Sequence, residues 1–384
     1  MVKCMNYLDN AATTFPKPEE VYVAMNEASR KIGVNAGRGS YKKAREASGL
    51  ISDTKTAIRK LIHAEASSAV VFAPSITIAL NQVLNGIDWR TGATVYVSPY
   101  EHNAVARTLN RVSKEYDLNV QIMPIDTETL EIDLEKLKYH FSKDKPFAVI
   151  CTHVSNVTGY ILPVKEIFDE AKKYNAFTVL DSAQSLGLID VDIRQLSVDI
   201  VAFAGHKCLY GPFGIGGFVN VSGLFLKEFI TGGTGSDSLN LEMPEGNESR
   251  YEAASSNIVA IAGLNAALKV LNVSEIYEHE KRLTEYLVDE LKTIKAVKMY
   301  LPANLENHIG IVSFTHQDLS SEDIGTILDD DYDIAVRTGY HCAPYIHEYL
   351  HDKSSLGTVR VGLSQFTTKE DIKELITAIK ELVE

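Results

Sequence analysis

Between residues 18 and 220 the chain repeatedly exchanges one hydrophobic period for another. Short, continuous apolar runs alternate with stretches that carry helical spacing. The runs are AVVFA (69–73), TVYV (94–97), NVQIM (119–123), FAVICT (147–152), FTVLD (177–181), DIVAFA (199–204) and GIGGFV (214–219). Runs that are apolar at every position are strands buried on both faces, and helices between them imply a mainly parallel sheet. The fold class read from this pattern is α/β. In open sheets of this kind, ligands lie beyond the carboxyl ends of the strands. Chemistry is therefore expected just after each run.

The pattern changes after residue 220. The stretch 231–250 is polar and Gly-rich, a loop by composition. Helices are expected at 257–271 and 274–295. Short strands IGIVSF, DIAVRT and GTVRVG follow, with helices near 321–329 and 368–383. The expected division is a large parallel-sheet unit, 15–264, and a smaller α+β C-terminal unit, 265–384, with 1–14 packed against the smaller one. A chain of 384 residues accommodates both.

Bulk properties remove several function classes. The formal charge is −13, which opposes bulk binding to nucleic acid or to an anionic membrane. No apolar run approaches the roughly 20 residues of a membrane helix. The N-terminus shows no basic segment followed by an apolar run, so a cytoplasmic location is expected. The four cysteines, Cys4, Cys151, Cys208 and Cys342, include no CxxC pair. Structural zinc is not expected, and a reducing compartment is. HExxH, GxGxxG and P-loop motifs are absent.

Seven motifs remain. In AFAGHKCLYGPFGIGG (202–217), Lys207 stands just past an apolar strand. A lysine at a buried strand end is costly unless it is paired or made neutral, as a Schiff base with an aldehyde cofactor would make it; the plain alternative is a surface lysine. In VLDSAQSLG (179–187), Asp181 ends a strand where a carboxylate can keep a pyridine nitrogen protonated, or cap a turn. Gln184 follows one short turn later. In SPYEHNA (98–104), His102 can stack on a planar ring and move protons. In CTHVSNVTG (151–159), Asn156 can donate to a cofactor oxygen or shape a turn. In APSITIALN (73–81), Ser75 and Thr77 open a helix, a position that suits a phosphate or a plain cap. In AVRTGYHCAP (335–344), Cys342 lies in a polar loop near Arg337, His341 and His347, and cationic neighbours favour the nucleophilic thiolate. In GTVRVG (357–362), Arg360 can present its fork to a carboxylate or join a structural ion pair.

Read together and in order, YLDNAATT (7–14), NAGRGSY (35–41), EHNA (101–104), SNVTG (155–159), LDSAQS (180–185), GHKCLYGP (205–212), YEAASSN (251–257), RTGYHCAP (337–344) and GTVRVG (357–362) resemble the cysteine desulfurase branch of the class V aminotransferase family. The short RTGYHCA loop is similar to that of the SUF-type group. The resemblance spans nearly the whole chain and implies a pyridoxal 5′-phosphate (PLP) enzyme of the aspartate aminotransferase type I fold. It implies a homodimer that takes sulfur from L-cysteine, leaves alanine and passes a persulfide to a sulfur acceptor. It also implies roles. Lys207 is the Schiff-base lysine, Asp181 the ring-nitrogen partner and His102 the stacking histidine. Gln184 and Asn156 contact cofactor or substrate, and Thr77 and His206 hold phosphate. Ser255 serves the neighbouring subunit's phosphate, Arg360 the substrate carboxylate, and Cys342 carries the persulfide. Ala204, Ile76, Ile78 and the AASS turn depart from the family pattern at the phosphate end. The alternatives are another class V reaction, such as selenocysteine lysis, transamination or epimerisation, and a non-catalytic partner-binding protein of this fold. Cys342 separates the first group, apart from selenocysteine lysis, and intact Lys207 and Asp181 oppose the second.

Overall fold

Seven strands, each short and apolar, hydrogen-bond into one sheet in the computed structural model, which describes residues 5–37, 39, 41–235, 239–246 and 248–382. Cys4, and Arg38 and Ser40 of the NAGRGSY motif, lie outside the described residues. In spatial order the strands are Ala69–Ala73, Gly216–Asn220, Ile200–Ala204, Phe177–Asp181, Ala148–Thr152, Thr94–Val97 and Asn119–Ile122. Gly216–Asn220 runs antiparallel to both neighbours, and the other adjacent pairs are parallel. The reversal has a local cause. Residues 205–215 turn without forming a helix, so the chain returns directly instead of crossing over.

All but the edge strand Asn119–Ile122, which is partly exposed, are buried on both faces because two cores flank them. Successive residues alternate between the cores: Leu180, Cys151 and Phe203 face one, and Val179, Ile150 and Ala202 the other. The first core also takes Ile58, Phe141 and Phe168 from covering helices. The second takes Leu80 and Leu109 from the helices Ile76–Gly86 and Asn103–Tyr116.

A second, four-stranded antiparallel sheet has the order Arg337–Gly339, Thr358–Gly362, Ile311–His316, Val297–Tyr300. Its core joins Phe314 and Val361 to Leu287, Leu328 and Ile376 from helices. Two details differ from the sequence expectation. The helix expected to end at 295 stops at Leu291, and the half-exposed edge strand Val297–Tyr300 follows it. The run 333–338 divides into Ile334–Ala335 and Arg337–Gly339, because the first pair bonds in parallel to Asn6–Tyr7. The N-terminal arm then bridges Asp9 to Gly362 and reaches the loop after Ala204, where the Thr13 hydroxyl donates to the His206 carbonyl at 3.0 Å. The arm thus ties the small sheet to the carboxyl edge of the large one. Among the described residues no single helix is long and apolar enough to cross a membrane.

Gly187 fixes how closely this edge packs. Its φ is +101°, and a Cβ there would lie 2.4 Å from the Cys208 carbonyl oxygen. Gly187→Ala combines backbone strain with overpacking and should cost about 2–5 kcal/mol. Gly92→Ala, with φ +75° and no neighbouring atom within 4 Å, should cost only about 1–2 kcal/mol. Urea unfolding midpoints of the two variants check this; equal shifts would show that the Gly187 contact is not tight.

Candidate active site

Every parallel strand of the large sheet ends at one edge, and that edge collects the motifs. Asp181 is the last residue of its strand and is buried. One oxygen accepts the Ala183 amide at 2.9 Å. Lys207 stands three residues beyond the adjacent strand's end at Ala204. Burial lowers the Lys207 amine below its ordinary value; Asp181 opposes that shift and Arg360 adds to it. Burial raises the Asp181 carboxyl, against the Ala183 amide and Lys207. Both groups are therefore driven toward their neutral forms, as desolvation requires. The arm's Thr14 hydroxyl donates to the Lys207 carbonyl at 3.2 Å, and Gln184 donates to Ala11 O at 2.8 Å.

His102 caps the helix Asn103–Tyr116, with Nδ1 accepting the Ala104 amide at 3.0 Å. Burial, then Lys207, Arg360 and Arg107, bring the imidazole down to about 4. The ring is therefore neutral near pH 7, and the amide contact leaves its proton on Nε2. His206 is likewise lowered to about 4, by burial, Lys207 and Lys17. It stacks on Phe213 with ring centroids 4.8 Å apart. Its Nδ1 is buried and has no protein partner among the described residues.

Arg360 is buried in the strand Thr358–Gly362. It donates from Nη2 to Asp9 at 2.8 Å and from Nη1 to the Asn156 carbonyl at 3.0 Å. Its Nε has no partner among the described residues. The Asn156 side chain donates to the His341 carbonyl at 2.7 Å. Asn156 therefore links the carboxylate-binding candidate to the cysteine loop. Cys342 is exposed at the loop's tip, and Lys207 feels its charge and that of Arg360. Cys208 has a different setting. Burial pushes its thiol up to about 12, and the thiol faces the Gln184 carbonyl at 3.4 Å.

The other positions fall at the sheet's end beyond Ala73. Ser75 caps its helix, accepting the Ile78 amide at 3.3 Å. Thr77 lies in the first turn. Ser255 is exposed and accepts a hydrogen bond from Asn35 at 3.2 Å. The structure thus gathers Lys207, Asp181, His102, Asn156, Arg360 and Cys342, with Gln184 and His206 beside them. Ser255 stands apart from them, in a cleft with Ala73, Pro74 and Asn257.

Three features were not read from the sequence, and one expectation is corrected. Asp9 is the partner of Arg360, Asn156 is a structural link, and Glu101 is a buried carboxyl. Glu101 accepts Ser98 Oγ at 2.5 Å and the Thr152 amide at 2.7 Å. The only sequence signal for Glu101 was its place beside His102. The correction concerns His341, which was expected to support a thiolate as a cation. It is buried and bonded to Thr358, and burial followed by Arg360, His347 and Arg337 hold it well below its ordinary value. It is neutral.

The donor set fits the cofactor implied by the motifs. A buried amine held below its ordinary value suits an aldehyde, a buried carboxyl group suits a protonated ring nitrogen, and the partnerless His206 Nδ1 and the Ser75–Thr77 helix start suit a phosphate. Among the described residues no cluster of three or more His, Cys, Asp or Glu could hold a metal.

Comparison with known proteins agrees with this geometry. The family model for aminotransferase class V matches residues 6–375. A cysteine desulfurase of Escherichia coli is 30% identical over 98% of this chain and 93% of its own length. A probable cysteine desulfurase of Aeropyrum pernix is 33% identical over 98% of this chain and 94% of its own. The apo structure of a cysteine desulfurase from Thermococcus onnurineus superposes with a TM-score of 0.91 at 29% identity, covering 99% of this chain and 94% of that one.

Glu101 gives this site a pH signature. Burial raises its carboxyl to about 8, against the Ser98 hydrogen bond. A carboxyl with a raised folded value stabilises the chain below its unfolded value, and that contribution is lost as pH climbs through about 8. Glu101→Gln keeps the acceptor for Thr152 and cannot ionise. It should gain at least about 1 kcal/mol relative to wild type between about pH 5 and pH 9. Thermal unfolding across that range checks it, and parallel curves would reject a buried, protonated Glu101.

Proposed function

The chain belongs to the class V aminotransferase family, and on that footing we propose that it is a cysteine desulfurase, converting L-cysteine to L-alanine while Cys342 takes the sulfur. One observation carries the residue assignment. The buried Lys207–Asp181 pair and the exposed Cys342 are joined through Arg360 and Asn156, so cofactor, substrate carboxylate and sulfur acceptor share one site.

PLP bound at Lys207 would supply an aldehyde to capture the substrate amine and a ring that draws electrons from its Cα. Lys207 would hold it by its aldehyde carbon and Asp181 by its ring nitrogen, His102 would serve as the stacking residue, and His206, Ser75 and Thr77 would hold the phosphate. Gln184 and Asn156 contact its polar edge. Burial lowers the Lys207 amine and favours its unprotonated form, which can act as a nucleophile and then as the base at Cα. Arg360 is already desolvated and its Nε has no partner among the described residues, so it is suited to receive the substrate carboxylate. His102 carries its proton on Nε2, the tautomer that can donate. The Cys342 sulfur attacks the substrate sulfur. A sulfur–sulfur bond forms, the carbon–sulfur bond breaks with its electron pair left on carbon, and protonation of that carbon gives alanine.

Cys342 suits this role because it is exposed, whereas Cys208 is held as a neutral thiol behind Lys207. We infer that Ser255, exposed on its loop, serves the neighbouring copy of a homodimer, and that the persulfide passes to a thiol acceptor in the cytoplasm.

Cys342→Ser should still bind L-cysteine and change the visible absorbance of the cofactor, while alanine formation falls by at least about two orders of magnitude. Cys208→Ser should retain wild-type activity within about threefold. Mass spectrometry should place the added sulfur on Cys342. Sulfur on Cys208, or undiminished alanine from Cys342→Ser, would reject the assignment.

A further inference from the structure

The cysteine turn is unusual in its backbone. His341 and Cys342 have φ of +46° and +57°, left-handed values that disfavour L side chains. Three consecutive carbonyls hold the turn. Cys342 O accepts the Asn103 amide at 2.7 Å, and His341 O accepts the Asn156 side chain at 2.7 Å. Tyr340 O accepts two donors, the Ala343 amide and His347 Nε2, each at 3.0 Å.

The third anchor has its own support. His347 Nδ1 lies 2.5 Å from Asp352 Oδ2, and both side chains are buried, at 4% and 0% exposure. The proton count follows from the partners. A carbonyl only accepts, so Nε2 must carry a hydrogen. The contact at Nδ1 then needs a second proton, either on the ring or on the carboxyl. Without it, a nitrogen lone pair would face a carboxylate in a buried site. The other Asp352 oxygen has no partner among the described residues.

We propose that His347, oriented by Asp352, is a positioning residue for sulfur transfer: the proton shared by the pair keeps the Tyr340 carbonyl, and so Cys342, in its receiving geometry. This inference rests on the desulfurase reading. The groups facing the pair are the Tyr340 ring at 5.0 Å, the His341 ring at 6.1 Å, Tyr300, whose phenol feels Asp352, and Arg337 and Arg360 behind His341. Glu348 and Lys353 share the outer cleft with Cys342 and His347. Removing the His347 contact to the Tyr340 carbonyl should loosen the turn and slow the step at Cys342, with substrate binding left to Arg360 and Lys207.

The test uses the cofactor-loaded protein and two variants. His347→Ala should lower kcat for persulfide formation at least about tenfold and leave KM for L-cysteine within about twofold. Hydrogen exchange in the 338–346 peptide should quicken while the large sheet stays protected. Asp352→Asn offers an amide that donates to a neutral Nδ1. It should keep exchange in that peptide near wild type and hold kcat within about threefold of wild type. Undiminished kcat in His347→Ala rejects the proposal. So does a parallel change in kcat and KM with faster exchange throughout, and so does an Asp352→Asn variant whose kcat falls as far as that of His347→Ala. Failure of the underlying reading is separate: it appears as wild-type protein that forms no persulfide on Cys342.

Discussion

The cost of placing a lysine amine out of water beside a buried carboxylate governs the large sheet's edge. Desolvation pushes Lys207 and Asp181 both toward their uncharged forms, and the two make no direct ion pair with each other. A buried pair in that condition contributes little to stability and is costly to retain. Its arrangement makes sense as a reserved place for a group that converts the amine and supplies a positive ring nitrogen. The surrounding contacts hold the two residues in that condition. Gly187 lets the loop pack closely, and the arm's Thr13 and Thr14 hydroxyls take the carbonyls of His206 and Lys207.

The second unit supplies what the sheet's edge lacks. Arg360 and Cys342 come from neighbouring parts of the small antiparallel sheet and its following loop, while Asn156 comes from the large unit. The Asn156 carbonyl holds Arg360 and its side chain holds the His341 carbonyl. One residue thereby sets the substrate anchor and the sulfur-receiving turn in register. Small displacements of such anchors are costly, because effective molarity depends on near-attack geometry.

The strands were legible because burial on both faces leaves an unbroken apolar run, and Lys207 and Asp181 were legible because each stands where such a run ends. Ser75, His102 and Asn156 follow strand ends in the same way. What could not be read was pairing across the chain. Asp9 meets Arg360 over a separation of 351 residues, and nothing local marks it. Glu101 looked like an ordinary acidic residue in a loop until the fold removed its water. His341 was misjudged for the same reason, since its sequence neighbours are cationic but its surroundings are dry. The strand Val297–Tyr300 was missed because half of it faces solvent, and its pattern is too short to separate from a helix end.

The central assignment is the identity of the reactive amine. Lys17 is the natural rival. Burial brings it to about 7, and it lies close by, donating to the His206 carbonyl at 2.7 Å. Borohydride reduction of the protein loaded with PLP, followed by peptide mapping, distinguishes the two. The cofactor should be fixed on the peptide containing Lys207, and Lys207→Ala should abolish the label. Cofactor found on Lys17, or on any other lysine, would contradict the site described here.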